Sequence, residues 1–156
     1  MSKLKQLTDL LIKKKLTIAV AESCTGGALC SLLTSQSGSS VFFDRGFVTY
    51  SNQSKTDMLG VLRSNLEVFG AVSEQTAKQM VSRVVKQARV DVSVSITGIA
   101  GPLGGTQEKP VGMVCFGFYI LGKYFTTTQN FMGDRCQVID ASIDFALTTL
   151  VHELSN

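Results

Sequence analysis

Five consecutive positions within AESCTGG, residues 21–27, carry a hydroxyl, a thiol, a second hydroxyl and two glycines. Ser23 and Cys24 are the side chains there best suited to attack an electrophilic carbon, and either needs a group to take its proton. The single histidine, His152, lies four residues from the C-terminus in the closing helix, where a helix-end role accounts for it. A Ser-His-Asp or Cys-His arrangement is therefore nearly excluded within one chain. The bases that remain are Lys55, Lys109 and Glu22. A lysine whose pKa is lowered by burial can accept a serine proton. Lys55 stands five residues after Tyr50 in VTYSNQSK, just past an expected strand end. Lys109 belongs to a glycine-rich loop, and Glu22 is either a base or a hydrogen-bonding brace. Cys24, beside an expected helix start, is either an activated thiol or a small buried residue.

Two glycine-rich loops, SCTGG and TGIAGPLGG, supply backbone N–H groups that a phosphate or carboxylate can approach closely. Neither matches G-x-G-x-x-G or a Walker A pattern, so no dinucleotide or triphosphate reading is available. Cys24, Cys30, Cys115 and Cys136 show no CxxC spacing, and with one histidine they make no metal site.

The elements that must position these residues follow from periodicity. Leu4, Leu7, Leu10 and Leu11 recur at helical spacing, giving a helix over 3–15. The run LTIAVAE (16–22) reads as a buried strand, and the glycines after it lead into a helix ending near Ser37–Gly38. Residues 42–51 read as a strand with a turn or bulge near Arg45–Gly46. Ser73 caps a helix whose face is Ala77, Met80, Val81, Val84, Val85 and Ala88. A strand over 91–97 precedes the second glycine loop, 98–110. Strands over 111–120 and 123–131 form a hairpin at Leu121–Gly122. Asp134 and Gln137 form a capping box before an apolar stripe from Val138 to Leu154.

This order argues for one domain, 1–156: a three-layer α/β/α sandwich around a mixed, mostly parallel sheet with one antiparallel strand. Ligands of such sheets bind beyond the carboxyl ends of the strands, where the two glycine loops would meet. At 156 residues, 44 % hydrophobic and 17 % charged, the chain suits one soluble domain with a real core. The net charge of +3 is mild, and the lysines of 3–6 and 13–15 read as a solvated helix face. Neither nucleic acid nor membrane is an expected partner. The N-terminal stretch lacks the apolar core of a signal peptide, so reduced thiols and a cytoplasmic location are expected.

The segments AESCTGG (21–27), GSSVFFDRGFVTYSNQSK (38–55), GAVSEQTA (70–77), TGIAGPLGGTQEKPVG (97–112) and FMGDR (131–135) together resemble the CinA C-terminal domain family. The resemblance spans essentially the whole chain. It implies hydrolysis of the nicotinamide carboxamide of nicotinamide mononucleotide (NMN) to nicotinic acid mononucleotide and ammonia, in pyridine-nucleotide salvage. Ser23 falls on the family's nucleophile, Lys55 on its lysine base and Tyr50 on the tyrosine of the same site. Thr97 and Ser40 match polar positions around the ligand, and Arg135 matches a basic position suited to phosphate. Arg45 joins the substrate-binding positions, as do Thr25, Gly26 and Gly27 of the first loop and Gly98, Gly101, Gly104 and Gly105 of the second. No metal or cofactor is implied, and self-association is expected. Relatives often carry an arginine where this chain has Ile139, a departure that bears on phosphate affinity or assembly. Two other readings stand beside this one: a cysteine-dependent hydrolase using Cys24, and a non-catalytic nucleotide-binding or partner-binding module.

Overall fold

Every residue of strand β1 (Ile18–Glu22) is buried, the pattern of a strand covered on both faces. Its side chains alternate as the pleat requires. Ile18 and Val20 enter one apolar cluster, Ala19 and Ala21 the other. In the computed structural model, which describes residues 1–156, β1 lies between two parallel neighbours. These are β2 (Phe43–Val48) and β3 (Val92–Gly98). β4 (Met113–Ile120) runs antiparallel to β3, and β5 (Lys123–Asn130) antiparallel to β4. The order is β2-β1-β3-β4-β5, so β4 alone opposes the rest and the mixed-sheet expectation holds.

Helices cover both faces. α1 (Lys3–Lys14), α2 (Ala28–Leu33) and α6 (Arg135–Ser155) bury Leu7, Leu11, Leu29, Leu33, Val138 and Leu150 in the larger cluster. On the opposite face α3 (Asn52–Leu59), α4 (Arg63–Phe69) and α5 (Glu74–Ala88) contribute Leu59, Leu66, Met80 and Val84. The result is the three-layer sandwich. No helix is long and apolar enough to cross a membrane. All four cysteines are free thiols.

Local chemistry sets the boundaries. Ser73 accepts the Thr76 N–H at the start of α5, and Asp134 and Gln137 cap α6 reciprocally. Leu121 and Gly122 both have positive φ, 48° and 93°, which the tight β4–β5 hairpin demands.

Three features differ from the sequence reading. α2 stops at Leu33 because Thr34 and Ser35 turn their hydroxyls back onto the carbonyls of Cys30 and Leu32. The bulge in β2 falls at Asp44: Ile18 pairs with Phe43, and Ala19 already pairs with Arg45. Residues 52–72, to which the sequence pattern assigns no element, hold α3 and α4. α3 escapes a periodicity search because its buried face consists of Lys55 and Leu59, four residues apart.

Candidate active site

The carboxyl end of β1 feeds directly into the turn that presents Ser23. The Ser23 N–H still bonds across to the Ile96 carbonyl of β3, so the residue is held in sheet register. Gly26 and Gly27, with φ of 60° and 99°, then swing the chain into α2. The Glu22 carboxylate locks this turn by accepting the Leu29 and Cys30 N–H groups, each at 2.9 Å. With both oxygens so occupied it is a brace. The N–H groups of Cys24 and Thr25 make no backbone hydrogen bond.

Lys55 comes from α3, whose first turn is fixed by a capping box between Ser51 and Ser54. Only 1 % of its surface is exposed. Its Nζ lies 2.9 Å from Ser23 Oγ and 2.8 Å from the Thr49 carbonyl oxygen. Burial lowers its pKa from 10.5 to about 8, because desolvation disfavours the ammonium form. The amine donates to both the Thr49 carbonyl and Ser23 Oγ, and the lowered pKa brings its neutral form within reach near neutral pH. Cys24 is driven the other way. Burial pushes its thiol up to about 11, so it stays protonated at neutral pH and is a poor nucleophile. Lys109 is engaged elsewhere, its Nζ donating to the Phe69 carbonyl at 2.6 Å.

Ser23 and Lys55 open onto a crevice of about 250 Å³ at the carboxyl ends of the strands. Arg135, the first residue of α6, closes one side. Its Nη1 donates to the Gly101 carbonyl at 2.8 Å and its Nη2 to Tyr50 Oη at 2.7 Å. Thr97 lines the crevice at the end of β3, its hydroxyl donating to the Ala71 carbonyl at 2.8 Å. A hydroxyl, a neutralisable amine and a guanidinium around one crevice can perform nucleophilic attack beside an anchored anion.

A family model, the CinA C-terminal domain, matches residues 2–154. The chain belongs to the CinA C-terminal domain family. It is 50 % identical over 137 residues to the nicotinamide-nucleotide amidohydrolase PncC of Enterobacter agglomerans, covering 87 % of this chain and 84 % of that protein. It is 52 % identical over 132 residues to a putative competence-damage inducible protein of Clostridioides difficile. That match covers 85 % of this chain and 32 % of the relative, so the chain spans about a third of the longer proteins of this kind. Among solved structures, the competence damage-inducible protein A of Klebsiella pneumoniae superposes with a TM-score of 0.95 at 33 % identity, over 99 % of this chain and 96 % of that one. The competence or damage-inducible protein of Enterobacter asburiae gives 0.93 at 38 % identity, over 97 % and 96 %.

The CinA-type fold brings together most of the residues expected at the site, but not all. Ser23, Tyr50, Lys55, Thr97 and Arg135 share the crevice, with Gly98, Gly101 and Gly104 of the second loop. Thr25, Gly26 and Gly27 do not line it, since they carry the chain away into α2 and shape the turn from behind. Gly105 packs against Val111, whose backbone nitrogen would lie 2.7 Å from a Cβ there. Ser40 is displaced furthest. It sits in a 3-10 turn, Ser39–Val41, that precedes β2, at the amino end of the sheet. At about 3.3 Å per residue, the length of β2 separates it from the crevice. Arg45 is exposed on the same edge strand and paired with the Asp44 carboxylate. Expectation missed the apolar lining, Ala71, Val72, Ile99, Ala100 and Leu103, and the polar Asn52. Their only signal was membership of the quoted motifs.

Proposed function

We propose that this chain hydrolyses the nicotinamide carboxamide of NMN, giving nicotinic acid mononucleotide and ammonia in pyridine-nucleotide salvage. The observation that carries the reading is the 2.9 Å contact between Ser23 Oγ and the buried, pKa-lowered Lys55 amine. The 50 % identity to a nicotinamide-nucleotide amidohydrolase supports the substrate.

Lys55, uncharged, takes the Ser23 proton as Oγ adds to the amide carbon. The N–H of Cys24, a residue that lines the crevice and whose amide makes no backbone hydrogen bond, receives the oxyanion. Collapse of the tetrahedral adduct breaks the C–N bond, and the proton held on Lys55 leaves with nitrogen as ammonia. Water then attacks the ester, Lys55 again taking a proton, and Ser23 is regenerated with the carboxylate product. Tyr50, held by Arg135, orders the mouth of the crevice, and Arg135 with the second glycine loop anchors the 5′-phosphate.

The test is to incubate the purified protein with NMN and follow ammonia and the acid product. Turnover abolished by Ser23→Ala and by Lys55→Met is expected. Undiminished turnover in Ser23→Ala would contradict the serine mechanism. Nucleotide binding without any turnover in the wild type would contradict the enzymatic reading and point to a binding module.

A further inference from the structure

The crevice lining is mixed: Ser23, Lys55, Thr97 and Arg135 are polar, and Ala71, Val72, Ile99 and Ala100 are apolar. At its mouth stand two large side chains that the fold leaves uncovered: Leu103, 85 % exposed, and Tyr50, 59 % exposed. Because β1 lies between β2 and β3, these two rise from opposite sides of the Ser23 turn. Tyr50 follows β2, and Leu103 sits on the loop after β3. Arg135 ties the two sides together through Tyr50 Oη and the Gly101 carbonyl. Leu103 is carried between Gly101 and Gly104, whose φ values of 84° and 92° only glycine adopts easily. A lone exposed leucine is ordinary on a protein surface. One that lines a reactive crevice, opposite an aromatic ring, offers apolar area that a bound ligand can cover.

We propose that Leu103 is a specificity-determining residue: the flat heteroaromatic ring of the bound substrate covers it, so the site selects amides borne on a ring over aliphatic amides. The inference rests on the amidohydrolase reading above. The ring is covered equally in the ground and transition states, so its contribution lies in KM rather than kcat. Removing most of a leucine side chain from such a contact costs about tenfold in affinity.

Steady-state kinetics with NMN on the wild type, Leu103→Ala and Leu103→Met test this, with melting temperatures measured in parallel. Leu103→Ala should raise KM about tenfold, leaving kcat and melting temperature unchanged, and Leu103→Met should restore KM. A Leu103→Ala KM within about twofold of wild type, or a fall in kcat together with melting temperature, would overturn the role of Leu103 alone. A wild-type protein that neither turns over nor binds NMN would overturn the amidohydrolase reading and this inference with it.

Discussion

Glu22 and Lys55 are two ionisable side chains buried at the crevice end of the sheet, 0 % and 1 % exposed. Glu22 has both oxygens filled by amide donors of α2, and the start of a helix suits its charge. Lys55 has one fixed acceptor, the Thr49 carbonyl, and one partner able to surrender a proton, Ser23. A buried carboxylate with a backbone donor on each oxygen is architecture. A buried amine pushed towards neutrality beside a hydroxyl is equipped for chemistry.

Substitution separates the two roles most sharply. Ser23→Ala and Lys55→Met should each lower kcat/KM for NMN by about 10³-fold or more, read as ammonia release, while the proteins stay folded. The pH–rate profile should follow the free amine. With a Lys55 pKa of about 8, kcat/KM rises with pH up to that value and levels above it. At pH 6 this amounts to about a hundredfold loss relative to the plateau. A flat profile from pH 6 to 9 would remove Lys55 as the base.

Stability should carry the same signature. The unfolded lysine titrates near 10.5 and the folded one near 8, so between these values the unfolded chain binds a proton that the folded chain does not. Stability therefore rises as pH increases across that window, by up to about 3 kcal/mol. Denaturant unfolding of Lys55→Met should lack this component. Glu22→Gln should behave oppositely to the Lys55 variants. Its amide N–H₂ would face a backbone donor, leaving a buried N–H unpaired at a cost of about 1–3 kcal/mol, measured by thermal melting. Activity per folded molecule should be largely retained. The smallest effect belongs to Cys24→Ala, with kcat/KM within about threefold of wild type, because a thiol held near 11 is a packing group.

Legibility in the sequence tracked how local the physics was. The capped, amphipathic α5 and α6 and the Leu121–Gly122 hairpin follow from near neighbours along the chain, and they occur as expected. α3 was hidden because its inward face is built around a lysine, and a periodicity search counts Lys55 as polar surface. Ser23 and Lys55 are 32 residues apart, so their pairing could be reached only by eliminating histidine and by the family resemblance. Ser40 and Arg45 show the reverse case, expected at the site but not lining the crevice. They lie in the same motif as Tyr50 and Lys55, but Ser40 precedes β2 and Arg45 lies within it, so adjacency in sequence does not bring either to the crevice at the strand's far end. The crevice's apolar lining was illegible for a related reason. Ala71, Val72 and Leu103 come from separate loops and acquire a common role only once the sheet order assembles them.

The most direct test of the central claim is to quench NMN turnover in acid within the first turnovers and map the trapped acyl-enzyme by peptide mass spectrometry. The account predicts the nicotinate mononucleotide ester on Ser23, absent from Ser23→Ala. An adduct on Cys24, or steady turnover by Ser23→Ala, would contradict it.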